Sequence, residues 1–277
     1  MVVRRRRLAA ELKRLREAAR LTCEEAAARL ECSASKISRI ESGQVGVSPR
    51  DVRDLLRIYG VPEDQRESLI ELAREARQKG WWQAHSSVQP HLATYLGLEH
   101  AASHIRLYRT SRVPTLLQTP DYARSFFSAA RPGAIHPGID QSVTLITERQ
   151  RQATLRPPAL HAVLSEAAVR YQPDTRDALR GQLAHLINLA AQPATTLQVL
   201  TYNSGLHMTQ DTSFTSLSFP DPADPDIVCI AYPTGLLWVE DTTEVAHYNA
   251  LFTRLQTAAL APQETVAFIT ALLGDLS

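Results

Sequence analysis

The chain has 277 residues, enough for one large or two medium domains, and its 44% hydrophobic and 21% charged composition is that of an ordinary globular protein. No uninterrupted apolar run approaches a membrane span and no hydrophobic signal segment follows the basic start, so a cytoplasmic protein with no membrane partner is expected. The net charge of +1 conceals an asymmetry: residues 1–80 carry 18 Lys/Arg against 13 Asp/Glu, and residues 81–277 carry 12 against 16, which fits a nucleic-acid-binding head on a body that does not touch DNA.

Met1 to Arg7 reads as a short arm with four consecutive arginines, Arg4, Arg5, Arg6 and Arg7. Such a run either contacts phosphate and the minor groove or is a solvated terminus. Leu8, Leu12 and Leu15 then mark an amphipathic first helix ending near Ala19. Thr22 followed by Glu25 is a capping box, and the helix it opens carries Ala26, Ala27 and Leu30 on its core-facing side. Ser33 is a second N-cap; Ile37 and Ile40 share one face of the next helix, and Gly43 closes it. Ser48-Pro49 opens a fourth helix with Val52, Leu55, Leu56 and Tyr59 inward. A fifth runs from Pro62 to about Lys79 with Leu69, Leu72 and Ala76 as its apolar side. The three cysteines, Cys23, Cys32 and Cys229, lack the paired short spacing of a zinc site and read as buried or idle thiols.

The segment GWWQAHSSVQP, residues 80–90, marks a change of character, with Trp81 and Trp82 placed to pack the end of the fifth helix or to stack a ligand. A helix from Leu92 to about Arg109 follows, then one starting at Thr119-Pro120 with Tyr122, Ala123, Phe126 and Phe127 inward, and one over Asp140 to Thr154. Leu160 to Leu164 is a short apolar run, and a helix spans about Thr175 to Ala191. Strands are expected around Leu197 to Tyr202, Ser213 to Phe219, Ile227 to Tyr232 and Leu236 to Glu240. Residues 221–226 form a turn, and Pro233-Thr234-Gly235 a hairpin connection. Two helices, Thr243 to Ala259 and Pro262 to Leu273, end the chain. The expected fold is α+β overall: an all-α five-helix helix-turn-helix domain over residues 1–80, then an α+β domain over 81–277 with a small, largely antiparallel sheet.

In a helix-turn-helix, the second helix lies on phosphates and the third enters the major groove. Ala34, Ser35 and Arg39 are then best placed for base edges, with Arg39 able to pair bidentately with guanine. Thr22, Ser33, Lys36 and Ser38 suit phosphate and flanking contacts. The expected partner is double-stranded operator DNA.

Residues 8–60, with LKRLREAARLT-x-EE-AAARL followed by S-x-S-K-I-S-R-I-E-S-G, resemble the phage-repressor and xenobiotic-response-element type of helix-turn-helix. The resemblance implies that Arg16 on the first helix pairs with Glu41 at the end of the recognition helix. Cys23 stands where a phosphate-touching Gln is frequent, and Glu31 where Gly is common, so a left-handed backbone there is strained. YLGLEHAASHIRLY, VPTLLQTPDYARSFF and ITERQRQATL are similar to an actinobacterial regulator family that joins this head to a C-terminal domain of poorly defined, antitoxin-like function. Thr115 departs from the Gly of that family's VPGLLQT. The resemblance implies a nucleoid-associated homodimeric regulator whose body takes an effector or a small partner protein encoded nearby. The alternative is an antitoxin-like protein that mainly sequesters that partner and autoregulates its operon.

An enzyme in the body has little behind it. His100 and His104 read as i,i+4 on one helix beside Glu99, but the order E-H-x-x-x-H puts no carboxylate between the histidines as a zinc-protease base requires. The DPADPD run lacks EF-hand spacing, and there is neither a glycine-rich phosphate loop nor a nucleophile elbow. No catalytic residue, metal site or cofactor is assigned.

Overall fold

A computed structural model describes residues 2–77, 80–85, 88–130, 137–205, 211–232 and 234–276. Met1, Lys79 and Pro233 therefore lie outside the described residues. Backbone contacts divide the chain into two compact units, Met1–Ser86 with Ala93–Ala101, and Ser87–Leu92 with Ala102–Ser277.

The first unit begins with five helices: α1 (Val2–Ala18), α2 (Cys23–Arg29), α3 (Ala34–Glu41), α4 (Pro49–Ile58) and α5 (Glu63–Ala76). Local chemistry sets their limits. The Thr22 hydroxyl accepts from the Glu25 backbone while the Glu25 carboxylate accepts from Thr22 N–H, so α2 starts with two otherwise orphan donors satisfied. The Ser33 and Ser48 hydroxyls cap α3 and α4 by accepting from the Lys36 and Asp51 N–H groups, and Pro49 takes the first position of α4. Gly43, with φ +69°, supplies the left-handed residue after α3 that a side chain would resist. Leu8, Leu12, Ile37, Ile40, Val52, Leu55 and Leu56 fill a common core. In α5 the deepest positions are Ile70 and Ala73, with Leu69 and Leu72 only partly buried. This helix packs on both α1 and α4, so the centre of its apolar side falls between the expected positions.

α6 (Pro90–Ala101) is shorter than the expected 92–109 helix. His104–Arg109 is instead strand β1, whose burial alternates through Ile105 and Leu107. His100 and His104 thus do not share a helix, and the paired-histidine reading falls with it. β1 sits at the centre of a six-stranded mixed sheet of order β3-β2-β1-β4-β5-β6, formed with β2 (Ala159–Ser165), β3 (Thr195–Leu200), β4 (Phe214–Ser218), β5 (Ile227–Tyr232) and β6 (Gly235–Val239). The run Leu160–Leu164 is the body of β2. The pairs β1/β2 and β2/β3 are parallel; β1/β4, β4/β5 and β5/β6 are antiparallel. Parallel pairing needs long crossovers. α7 (Pro120–Ala130) and α8 (Pro137–Leu155) make the first, and α9 (Glu166–Arg170) with α10 (Arg176–Ala190) the second.

Two helices complete the body, α11 (Thr242–Ala258) and α12 (Pro262–Gly274). Tyr108, Val163 and Phe214 align across three strands by register and meet Phe252 of α11 in one apolar cluster. The β3 edge is closed: Thr265 accepts from Val199 N–H at 3.0 Å, and Leu260 N–H donates to the Val199 carbonyl at 2.9 Å.

Candidate nucleic-acid interface

α3 separates its two faces sharply. Ile37 and Ile40 are 0% and 2% exposed, whereas Ser35, Ser38 and Arg39 are exposed and Ala34 is half-buried at the helix start. A serine and a basic residue before each isoleucine, Ser35-Lys36 and Ser38-Arg39, produce this division, because a helix returns to the same side every three to four residues. The outward set is two small hydroxyls, a methyl-sized residue and one guanidinium, which together leave room for a duplex groove and offer donors to it.

A buried ion pair fixes the tilt of this helix. Arg16 donates from Nε to Glu41 Oε1 at 2.8 Å and from Nη2 to Oε2 at 2.9 Å, a two-pronged pairing. Its Nη1 donates to the Leu21 carbonyl at 2.6 Å, tying the turn after α1 into the same group. The Tyr59 hydroxyl donates to Glu41 from the end of α4 at 3.4 Å. The Glu41 hydrogen bond strengthens Arg16's hold on its proton, and burial, followed by the Glu41 charge, pushes the Tyr59 hydroxyl well above the usual phenol range. One arginine thereby joins α1, the following turn and α3, with α4 attached through Tyr59.

The remaining DNA-facing candidates occupy varied settings. Thr22 and Ser33 are exposed; each hydroxyl oxygen accepts from its own helix, which leaves the hydroxyl proton free to donate to phosphate. Arg39 Nε donates to the Ser35 carbonyl at 3.3 Å, a long local bond to the backbone and not to a carboxylate. Lys36 is paired with Asp51 at 3.0 Å, the two side chains being 40% and 28% exposed. Asp51 is the residue that sequence reasoning missed. Its signal was an acid three residues after the Ser48 cap, in the first turn of α4, where the helix end favours a negative charge.

The expected N-terminal arm is corrected. α1 starts at Val2, so Arg4, Arg5, Arg6 and Arg7 are helical. Arg4 pairs with Glu75 of α5 at 3.1 Å, and Arg5 and Arg6 are half-buried while Arg7 is exposed. Arginine is a good helix former, and these residues simply continue the helix that Leu8 and Leu12 anchor. A helix of this diameter can rest beside phosphates but cannot thread a minor groove as an extended strand does. Glu31 has φ +55°, the left-handed conformation in the turn between α2 and α3; Arg20, after α1, has φ +57°. Cys23 is half-buried against the core and sits at the first position of α2.

Trp82 is buried in a 3-10 turn (Trp81–Ala84) and meets the ring of His100 edge-on, with centroids 6.1 Å apart. No group of three or more His, Cys, Asp or Glu side chains among the described residues could hold a metal ion, and no described helix is long and apolar enough to cross a membrane.

These features define a helix-turn-helix DNA-binding head, and residues 7–69 match a family described as a helix-turn-helix domain. Residues 92–271 match the domain of unknown function DUF5753, and the chain belongs to that family. No curated protein matches the chain. The protein is a helix-turn-helix regulator carrying a C-terminal domain of unknown function.

Proposed function

We propose that this protein is a sequence-specific transcription regulator of the xenobiotic-response-element type, of actinobacterial character, acting in the cytoplasm as a homodimer. The observation that carries the reading is the outward face of α3, where Ser35, Ser38 and Arg39 stand exposed over a core sealed by Ile37 and Ile40. Ala34, Ser35 and Arg39 read base edges; Thr22, Ser33, Lys36 and Ser38 fix the head on phosphates. The Arg16–Glu41 pair holds the reading helix at its working angle. Two heads on a palindromic operator stand about 34–36 Å apart, one helical turn of DNA. The body, residues 81–277, supplies dimerisation and a site for an effector or small partner protein, and it performs no catalysis.

Footprinting of the full chain on DNA upstream of its own gene tests this. Two protected half-sites one turn apart are the expected result. Protection that appears only when the neighbouring small protein is removed marks that protein as the regulating partner. An even, salt-insensitive pattern with no half-sites contradicts the proposal.

A further inference from the structure

The loop joining β1 to α7 is unusually well pinned for an irregular segment. Gln150 of α8 donates to the Thr115 and Gln118 carbonyls at 2.9 and 2.7 Å. Gln182 of α10, fully buried, donates to the Leu117 carbonyl and accepts from Thr119 N–H, both at 2.7 Å. Gln118 turns its own amide back to the Val113 carbonyl at 2.7 Å. Three glutamines from three places thus satisfy the backbone of residues 113–119, as a buried loop requires. They also hold whatever the loop presents.

The loop presents Arg112. Its guanidinium carbon lies over the Phe126 ring, 3.9 Å from the centroid, a contact that covers one side of the group and leaves an N–H edge. Among the described residues that edge meets no hydrogen-bond acceptor and no carboxylate. What stands near Arg112 is a second cation. Arg149 of α8 donates to the Thr115 hydroxyl at 2.8 Å, and burial together with the Arg149 charge loosens Arg112's hold on its proton. The Tyr122 hydroxyl, which accepts from Val113 N–H, is near enough to Arg112 for their charges to interact. Finally, the Gln118 side-chain oxygen is buried without a donor.

A desolvated guanidinium is ordinarily matched by a carboxylate, as Arg16 is by Glu41 in the head. Arg112 has no such match on its rigid loop, and its desolvation is costly unless an anion from outside completes it. We infer that Arg112, with Arg149, Tyr122 and Thr115 around it, forms a binding site for a small oxyanionic molecule carrying a carboxylate or phosphate group. The planar fork of Arg112 matches either group through two parallel hydrogen bonds. The Thr115 hydroxyl positions Arg149. This inference deepens the effector part of the proposed function and rests on it only for the consequence at DNA; the binding itself is measured without DNA.

The test is titration calorimetry on the full chain in chloride buffer, with sodium phosphate in one arm and sodium citrate in the other. Saturable binding of at least one probe, one per chain, is expected, and the arm that binds more tightly identifies the group. Arg112→Gln is expected to weaken that binding about tenfold or more, the usual scale for losing a charge-assisted pair. In the chloride buffer without phosphate or citrate the same variant should melt no lower than the parent, because it removes a charge with no counter-charge. Thr115→Val, which leaves Arg112 in place, should weaken binding several-fold through loss of Arg149's anchor. Absence of binding in both arms, or unchanged binding by Arg112→Gln, overturns the inference. So does a large anion-independent drop in melting temperature for Arg112→Gln, which would make the arginine structural. An anion that binds without altering duplex affinity keeps the site and removes only the ligand-sensing part of the proposed function.

Discussion

Arg16 in the head and Arg112 in the body are both drawn out of water, yet their surroundings are opposite. Arg16 finds a carboxylate, a carbonyl and a rigid helix end, and every part of its fork facing Glu41 is used. Arg112 finds an aromatic face and a second arginine. The difference teaches where each unit spends its polar groups. The head uses a buried charge pair to fix one helix relative to the others, so its working surface can be short exposed side chains. The body leaves a charge unmatched on a firmly held loop, which is the arrangement of a site and not of a brace.

Removing one partner of the head's pair should give the largest effect. Arg16→Ala leaves the Glu41 carboxylate buried and unpaired, its side chain 5% exposed, and an expected loss of about 3–5 kcal/mol follows. Urea unfolding of the full chain followed by far-UV circular dichroism measures it. A loss below about 1 kcal/mol, the scale of an exposed pair, would erase the contrast with Arg112.

A smaller effect of opposite sign sharpens the picture of the head. Glu31 adopts φ +55°, which costs a side-chain-bearing residue roughly 1 kcal/mol relative to glycine. Glu31→Gly should therefore stabilise the head by about 1 kcal/mol, seen as a higher melting temperature with unchanged DNA affinity. A lower melting temperature would show that the Glu31 side chain contributes more than its backbone costs.

The smallest expected effect belongs to the body and to pH. Burial, aided by the Arg106 charge, lowers the His161 pKa against the opposing hydrogen bond to Gln198. The unfolded chain then binds a proton that the folded body resists, so stability rises with pH in this range. It is full above the unfolded histidine value of about 6.5 and declines as pH falls through that value toward the lower folded one. His161→Gln should flatten the dependence of melting temperature on pH between about 7.5 and 5.5. An unchanged slope would remove His161 as the source.

The head was largely legible because its signals are local. Thr22 with Glu25, Ser33, Ser48-Pro49 and Gly43 each mark a helix end within four residues, and the isoleucines of α3 follow helical spacing. The arm at Arg4–Arg7 was misread because four charges look solvated in sequence, whereas Glu75, far along the chain, receives one of them. The antiparallel side of the sheet was legible as apolar runs separated by turn residues. On the parallel side only β3, expected at Leu197 to Tyr202, was read as a strand. β1 follows Ala101-Ala102 with no proline or glycine to break the helical pattern, and its partner β2 is more than fifty residues away. The Lys36–Asp51 pair and the stacking of Arg112 on Phe126 likewise depend on how separate helices and loops meet, which local spacing does not encode.

The central claim is that the outward face of α3 reads DNA. Its most direct test compares Arg39→Ala and Lys36→Ala on the footprinted operator and on an unrelated duplex, across a salt series. Arg39→Ala should lose about 1–3 kcal/mol on the operator and much less on the unrelated duplex, while Lys36→Ala weakens both alike and lowers the salt slope by about 1. Equal losses on both duplexes for Arg39→Ala, or duplex binding that neither substitution alters, would contradict the account.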